Sequence, residues 1–428
     1  MGFFTDAYDL FVIGVALKLI AAEWHIGTGW VSVAGATALL SAALGSLVFG
    51  RIADVLGRRF IYGVEVLVLA AGAIASAFAP NILWLVVFRF ILGLGIGGDY
   101  PVSATIASEY AGSYNRGALV SLVFTMQALG LIVGPLLAVA LLALKVNPDL
   151  TWRLLLGVGA LPPLAVFYMR RRLDETPRFQ LVMKQDEQRK GSSAEPSVWH
   201  LGVLRKYLSD ATIMKWLIGA SAAWLVMDVA YYGNTISSPL IVKAIVPHAS
   251  TMVTTWYTLI VFAVAALPGY LLATWGMDRF GRKRIQFMGF ALMTLTFVVL
   301  AALPGGLKNP WLFLVFFAIN YFFTEFGPNT TTFIYPAEIF PARIRTTSHG
   351  IAAGAGKLGA AVGAFAFPLL LSKYGLPGPM IAAATMALAG VVVTQWMLPE
   401  PNGQTLEAAS KDDLLQEAGA AQPAQAFS

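Results

Sequence analysis

Twelve long apolar segments dominate this sequence, and they restrict the chain to a membrane fold. Crossing a bilayer as a helix takes about 20 apolar residues, and the alternating pattern of a membrane barrel is not visible. The segments lie at residues 4–22, 30–52, 60–80, 82–107, 117–144, 153–170, 213–242, 250–275, 284–303, 310–335, 346–372 and 376–398. Only 12% of the residues are charged, against about 25% in a soluble domain. The sequence therefore predicts an all-α membrane protein with twelve transmembrane helices.

The polar stretches divide these segments into two sets of six. We expect an N-terminal six-helix half at 1–171, a cytoplasmic linker at 172–212 and a C-terminal six-helix half at 213–398. The linker carries too many charges for lipid, so we expect it to be partly helical on the membrane surface. Residues 399–428 form a cytoplasmic tail that is rich in Ala and Gln and is predicted to be disordered.

The charged residues predict an orientation and exclude several kinds of site. Most of the 29 Lys and Arg residues lie in segments that an N-terminus-inside arrangement puts in the cytoplasm. The net charge of +6 therefore reflects topology, and we expect no nucleic-acid partner. The chain has no cysteine and only 4 histidines, so we expect no metal site and no cofactor. No nucleophile and base stand together, and we expect no enzyme.

Two loop motifs occur once in each half. Asp54-Val-Leu-Gly57-Arg58-Arg59 follows the second segment, and Asp278-Arg-Phe-Gly281-Arg282-Lys283 follows the eighth. Glu109 with Arg116 is repeated by Glu338 with Arg345 at nearly the same offset. Such loops can be plain basic anchors of topology, but two matched copies favour a gate in which Gly permits positive φ and Asp caps a helix. The predicted gate residues are Asp54, Gly57, Arg58, Glu109, Arg116, Asp278, Gly281, Arg282, Glu338 and Arg345.

Eight ionisable residues lie within apolar segments, where a charge is costly and marks a functional candidate. They are Asp6, Asp9, Glu65, Arg89, Asp99, Asp228, Glu325 and Lys357. Asp6 and Asp9 share one helix face, and Arg89 is the natural partner for one of them. Protonation of that carboxylate would break the ion pair and release a helix, which predicts a proton switch. The alternative is a static buried pair with Asp6 at the interface.

The seventh segment carries the sharpest group of candidate binding residues. Trp224, Asp228 and Tyr232 recur every fourth residue and stack on one helix face. An aromatic stripe with a carboxylate at its centre is better explained by a lined cavity than by packing alone. Tyr100, Gln127 and Asn329 add neutral hydrogen-bonding groups from three other helices, suited to an oxyanion, although each can instead hold helices together.

These motifs resemble those of a known family. The paired loops are typical of the major facilitator superfamily, and 173–178 and 399–403 are similar to loops of its sugar-porter branch. Residues 2–11, 97–109 and 326–338 are similar to the phosphate:proton symporters within that superfamily. The resemblance implies phosphate binding by six residues, Tyr100, Gln127, Trp224, Asp228, Tyr232 and Asn329. It implies roles in proton coupling for Asp6, Asp9, Asp99 and Lys357, and a place on the proton route for Glu65.

Glu325 departs from the family pattern, in which a neutral residue precedes Phe-Gly-Pro-Asn. A second carboxylate near the site repels an anion unless it is protonated or paired. Asp228 is different, because monobasic phosphate carries two P–OH donors that an ionised carboxylate can accept, whereas sulfate at neutral pH has none. In the resulting hypothesis, the region of Asp9 and Asp99 carries the proton, and Lys357 competes for the vacated Asp228 to reset the carrier.

We therefore expect a proton-coupled inorganic phosphate importer that works by alternating access, since parallel six-helix repeats enclose a central site in secondary transporters. Its expected partners are phosphate, protons and the lipid bilayer, and it is expected to act as a monomer in the plasma or inner membrane. The alternative within transporters is a proton symporter for sugars or organic acids, which Glu325 and the sugar-porter loops favour. From another class, a nutrient receptor that binds without transport would need a signalling domain larger than the central linker.

Overall fold

Helices make up nearly all of the protein. The computed structural model describes residues 2–189, 201–246, 248, 251–302 and 310–412. In the first half, the helices are α1 (Gly2–Glu23), α2 (Thr28–Leu56), α3 (Arg58–Ala77), α4 (Ile82–Tyr110), α5 (Arg116–Ala143), α6 (Pro148–Val158) and α7 (Leu161–Arg172). Helices α6 and α7 together form one crossing, with a break at Gly159 and Ala160. Two shorter helices follow before the second half, α8 (Pro177–Arg189) and α9 (Leu201–Leu208).

The second half contains two crossings that are interrupted by wider, π-helical turns. Its helices are α10 (Ala211–Ile236), α11 (Ser238–Ile245), α12 (Thr251–Val261), α13 (Leu267–Phe280), α14 (Arg282–Ala302), α15 (Pro310–Thr324), α16 (Thr330–Glu338), α17 (Arg345–Tyr374) and α18 (Pro377–Met397). The π-helical turns Phe262–Ala266 and Glu325–Asn329 join α12 to α13 and α15 to α16. Such turns are frequent at functional sites because they shift the side chains that follow.

Eleven of the crossings in the described residues are long and apolar enough to span a membrane. The twelfth, α1, has 22 residues but carries Asp6, Asp9 and Lys18. Large apolar side chains such as Phe365, Val264 and Trp396 point outward and are exposed, as expected where lipid is the solvent. The protein is a multi-pass helical membrane protein, as the apolar segments predict.

The two halves meet along two helix pairs, α2 with α17 and α5 with α13. Glycines allow the first pair to approach closely. A Cβ at Gly350 of α17 would overlap the Ser46 carbonyl of α2, and one at Gly50 would lie 2.7 Å from the Thr346 carbonyl oxygen. Small residues at a helix crossing are the usual basis of close packing in membranes. The site described below lies between these pairs.

The beginning of the predicted tail is ordered, which corrects the expectation of disorder for 399–412. The short helix α19 (Leu406–Ser410) buries Leu406, and Glu407 pairs with Arg178 of α8 at 2.7 Å. Burial raises the pKa of Glu407, but the Arg178 guanidinium outweighs this effect and leaves that pKa below its ordinary value. Contacts with these partners order the segment. The partners lie elsewhere in the chain, so the local composition of the tail does not reveal them. Residues 413–428 of the tail and 190–200 of the linker lie outside the described residues.

Candidate functional site

An ammonium and a carboxylate face each other at the centre of the protein. Lys357 of α17 lies 3.5 Å from Asp228 Oδ2 of α10 and donates a 3.0 Å hydrogen bond to the Tyr232 hydroxyl. Its Nζ also lies 4.2 Å from the centre of the Tyr100 ring, a cation–π contact that comes from the other half. All four side chains are buried. Within the described residues, neither the Tyr100 hydroxyl nor Asp228 Oδ2 has a hydrogen-bond partner, although Oδ2 forms the ion pair with Lys357. Both atoms can therefore still form a hydrogen bond with a ligand.

Aromatic rings close this centre on two sides. Trp224 lies 6.0 Å from Tyr100 between ring centres, and Phe333 packs against both of them. On the opposite side, Phe11 of α1 stacks on Tyr232 with ring centres 6.4 Å apart and contacts Phe262. Rings from both halves therefore separate the charged centre from either face of the protein.

The two remaining predicted binding residues are joined by a tyrosine. The Tyr270 hydroxyl of α13 donates to Gln127 Oε1 at 2.7 Å and accepts from the Asn329 amide at 2.7 Å. Asn329 also donates to Glu325, one turn earlier. The structure thus brings Tyr100, Trp224, Asp228 and Tyr232 together around Lys357, and it links Gln127 of one half to Asn329 of the other.

A second buried cluster contains two of the predicted proton-coupling residues, Glu65 and Asp99. Arg170 of α7 lies 2.9 Å from Glu65 and 3.0 Å from Asp99, and Ser103 donates to Asp99 at 2.7 Å. Arg170 begins a run of three arginines at the end of the sixth segment, but its side chain is buried between these two carboxylates instead of being exposed in a loop. Asp6 feels the charges of Asp99, Arg170 and Lys357. The charge of Asp6 is therefore coupled both to this cluster and to the charged centre.

The predicted ion pair of Arg89 is absent. Within the described residues no salt bridge joins Arg89 to Asp6 or Asp9, and all three guanidinium nitrogens lack a hydrogen-bond partner. Asp9 is the carboxylate whose charge acts on Arg89, and it faces Gly159, where the sixth crossing breaks. Spacing along one helix predicts that Asp6 and Asp9 share a face. It does not predict how deep Arg89 of α4 lies in the membrane, which decides whether its guanidinium reaches either carboxylate.

An apolar cavity of about 380 Å³ lies on the far side of Phe11 from the charged centre. Leu10, Phe11 and Gly35 line it from the first half, and Thr235, Phe262 and Phe365 line it from the second. It therefore runs between the halves, and Phe11 and Phe262 belong both to its wall and to the aromatic closure.

The opposite face is closed by contacts between the halves, here called the latched face. Asp54 accepts hydrogen bonds from the backbone N–H groups of Thr346 at 3.2 Å and Thr347 at 2.6 Å, so it caps α17 of the other half. Arg58 bonds to Asp54 at 3.1 Å, and Arg345 pairs with Glu109 at 2.8 Å. The predicted helix-capping role of this Asp is realised across the two halves rather than within one.

The repeated motif builds the matching contact on the other pair of helices. Asp278 accepts from the backbone N–H groups of Gly117 at 3.0 Å and Ala118 at 2.7 Å at the start of α5. Arg282 and Arg116 both pair with Glu338, at 2.7 Å and 3.0 Å. Gly57 and Gly281 have φ of 104° and 88°, the region that favours glycine. Charged groups of each half thus hold the start of a helix in the other.

The two sugar-porter-like loops also reach this latched face. Glu175 accepts from the backbone N–H groups of Arg58 and Arg59 at the start of α3. Glu400 does the same for Arg282 and Lys283 at the start of α14. Both carboxylates lie at a helix N-terminus, where a negative charge is favoured.

Sequence reasoning missed four groups of the site. Arg170 begins the run of three arginines that leads into the predicted linker. Tyr270, Phe333 and Phe11 are aromatic residues in apolar segments. An aromatic residue in such a segment most often packs against other helices or contacts lipid, so its presence alone does not indicate a site residue. Arg170 alone had a usable signal, because it is the last residue of the apolar sixth segment, 153–170.

Comparisons with known proteins agree on one family. The model of the Major Facilitator Superfamily matches residues 1–334 and 229–426. The chain is 36% identical over 477 residues to "Probable inorganic phosphate transporter 1-6" of Arabidopsis thaliana, covering 95% of this chain and 91% of the relative. It is 35% identical over 501 residues to "Inorganic phosphate transporter 1-6" of Oryza sativa subsp. japonica, covering 97% and 92%. The structure is similar to the proton:xylose symporter XylE bound to 6-bromo-6-deoxy-D-glucose, with a TM-score of 0.81, 20% identity and 95% of each chain covered.

Proposed function

Because this chain belongs to the major facilitator superfamily, we propose that it is a proton-coupled inorganic phosphate symporter that imports phosphate by alternating access. The observation that carries the proposal is the buried pair of Asp228 and Lys357, enclosed by aromatic rings of both halves. The curated relatives described above are named as inorganic phosphate transporters, which supports the choice of substrate.

The free polar atoms of the centre suit monobasic phosphate. Asp228 Oδ2 accepts a hydrogen bond from a P–OH group, and the Lys357 ammonium balances the phosphate charge. Tyr100 supplies a hydroxyl donor from the first half. Sulfate at neutral pH has no O–H group to offer Asp228, so it leaves that carboxylate unpaired in a buried site. The proton on phosphate is therefore the basis of selectivity.

The proton follows the buried carboxylates of the first half. Asp6 interacts electrostatically with Asp99, Arg170 and Lys357, so it couples a charge change in the Arg170 cluster to the substrate pair. Asp9 and Arg89 stand near each other without a salt bridge, so Asp9 can gain a proton without breaking one. After phosphate release, Lys357 pairs with Asp228 again and resets the carrier.

We assign the latched face to the cytoplasm, where the Lys and Arg residues of the loops are retained. Both termini are then cytoplasmic, and the cavity beyond Phe11 opens toward the outside of the plasma or inner membrane. A single chain encloses the whole centre, so we propose that the monomer is functional. The proposal includes no nucleic-acid partner, since the basic residues serve topology and the latches.

Loss of both capping carboxylates is expected to open the latched face. In a variant with Asp54→Asn and Asp278→Asn, each of four backbone donors loses a charged acceptor, and such bonds contribute about 1.5–3 kcal/mol each. The chain has no native cysteine, so a cysteine placed at Ser121, which is buried at the interface with Thr274, reports opening by its rate of thiol labelling. We expect labelling to accelerate by about tenfold or more, equivalent to about 1.4 kcal/mol.

The control for this measurement is Asp149→Asn, which removes an Asp that pairs with Arg153 away from the latches. Its labelling rate should equal that of the parent S121C protein. Equal rates in the parent and in the double Asp variant would contradict the role of the latches as a gate.

Uptake of radiolabelled phosphate into proteoliposomes tests the function directly. We expect accumulation only with an inward proton gradient, and competition by arsenate but not by sulfate. Uptake that does not depend on the proton gradient, or competition by sulfate as strong as that by arsenate, would refute the proposal. If a sugar or an organic acid competes and is itself taken up under the proton gradient, the alternative of a symporter for that compound is favoured. The position of Glu325 beside Asn329 also favours this alternative.

A further inference from the structure

Glu325 is a buried carboxylate beside the proposed phosphate site that has no assigned role. It begins the π-helical turn Glu325–Asn329, in which Gly327 leaves helical geometry with φ of −101° and ψ of −112°. The side chain is fully buried, and its Oε1 has no hydrogen-bond partner among the residues that the structure describes. A buried ionisable group with an open acceptor calls for a physical explanation.

The hydrogen bonds of Asn329 connect Glu325 to the substrate. An asparagine amide has two N–H donors, and the donors of Asn329 are directed to Tyr270 and to Glu325 Oε2. Only its amide oxygen, an acceptor, is then left for a ligand. Ionised phosphate oxygens need a donor, so Asn329 cannot donate to phosphate while Glu325 holds this N–H.

No cation within salt-bridge distance compensates Glu325. The titratable groups that act on it are Tyr231 and Asp228 of α10, Tyr270 of α13 and Tyr321 of α15. Helix α14 meets the same turn through Gly289, which contacts Gly327 and Pro328. In the described part of the chain, no Lys, Arg or His lies within a salt-bridge distance of Glu325, so its ionised form relies on hydrogen bonds such as that from Asn329 and has no cation to balance its charge near an anion site.

We propose, on the basis of the function proposed above, that Glu325 is an additional proton-carrying residue that controls the donor group of Asn329. Ionised Glu325 holds the Asn329 N–H and repels the anion. When a proton from solution binds to a carboxylate oxygen of Glu325, the negative charge disappears and the Asn329 N–H is released to phosphate. The proton leaves Glu325 after phosphate has dissociated on the other side.

This arrangement also links the two halves. Tyr270 donates to Gln127 of α5 while it accepts from Asn329. Release of Asn329 by Glu325 removes one of its two anchors and leaves Tyr270 as the other. Protonation of Glu325 in the second half therefore changes the bonds of Asn329 directly, and Tyr270 connects Asn329 to Gln127 of the first half.

Phosphate binding to purified protein in detergent tests the role of Glu325, with Glu325→Gln as an uncharged variant of equal size. Between about pH 7 and about pH 9, each unit of pH can change binding linked to one proton by up to tenfold. We expect the wild-type affinity to fall at least about tenfold more than that of E325Q across this range. The ionisation of phosphate itself is common to both proteins and cancels in the comparison.

The control is Asp210→Asn, which removes an exposed carboxylate that caps α10 and should follow the wild-type pH profile. Proton uptake on phosphate binding gives a second measurement, and we expect about one proton fewer per phosphate in E325Q at high pH. If the role of Glu325 is only structural, E325Q changes the stability of the protein but not the number of protons taken up per phosphate. If E325Q does not fold, absence of proton uptake by the wild-type protein at high pH overturns the proposal without any variant.

The outcomes separate this inference from the proposed function. Phosphate binding with superimposable pH profiles in wild type and E325Q overturns the role of Glu325 and leaves the symporter intact. Absence of phosphate binding and uptake by the wild-type protein overturns the proposed function, and the inference fails with it.

Discussion

Replacing Asp228 with asparagine is expected to abolish phosphate binding. Asparagine has nearly the same shape but presents an N–H group where the P–OH donor needs an acceptor, and it leaves the buried Lys357 without its carboxylate. Hydrogen bonds to charged groups contribute about 1.5–3 kcal/mol each. With two P–OH donors on monobasic phosphate, we expect a loss of affinity of about a hundredfold or more.

Equilibrium binding of radiolabelled phosphate measures this effect. The matched control is Ser221→Ala on the same helix, because the Ser221 hydroxyl has no hydrogen-bond partner and its loss should leave affinity unchanged. D228N should remain folded, since Lys357 keeps its hydrogen bond to Tyr232. Normal affinity in D228N would remove Asp228 from the binding site and with it the explanation of selectivity against sulfate.

Much of the fold and part of the site follow from local sequence patterns. The apolar segments predict the helical membrane fold because the length of an apolar run is set by the bilayer, and the predicted membership of the major facilitator superfamily is confirmed. The repeated loops predict positive φ at Gly57 and Gly281, because Asp-x-x-Gly ends one helix and begins the next. Helical spacing also places Trp224, Asp228 and Tyr232 together, because one turn of one helix fixes their relative positions.

Pairings between distant helices are the part that the sequence did not provide. The sequence predicts that Arg89 pairs with Asp6 or Asp9, but in the described residues it forms no salt bridge. Arg170, which is not predicted as a partner, pairs with Glu65 and Asp99. Which of two arginines reaches a carboxylate depends on the tilt and depth of separate helices, and spacing along one helix contains no such information. The same limit applies to Tyr270, which joins Gln127 to Asn329 only after α5 and α13 pack together.

Neutralising Asp99 is expected to uncouple phosphate from the proton gradient. In Asp99→Asn, a side chain of the same size keeps the contact with Ser103, and Glu65 remains paired with Arg170, so the fold should persist. An amide cannot bind and release the transported proton. We expect gradient-driven accumulation of phosphate to fall by about tenfold or more, equivalent to about 1.4 kcal/mol, while exchange of internal for external phosphate continues.

Exchange is the measurement that distinguishes lost coupling from lost binding, because it needs the substrate site and alternating access but no net movement of protons. Ser76→Ala is a suitable control in the same half, since the Ser76 hydroxyl bonds only to Gly72 of its own helix and both activities should be retained. Loss of exchange in D99N would mean that Asp99 acts on phosphate itself. Undiminished gradient-driven uptake in D99N would mean that other carboxylates carry the proton. Asp9 would then be the first residue to neutralise, because it can be protonated without breaking a salt bridge.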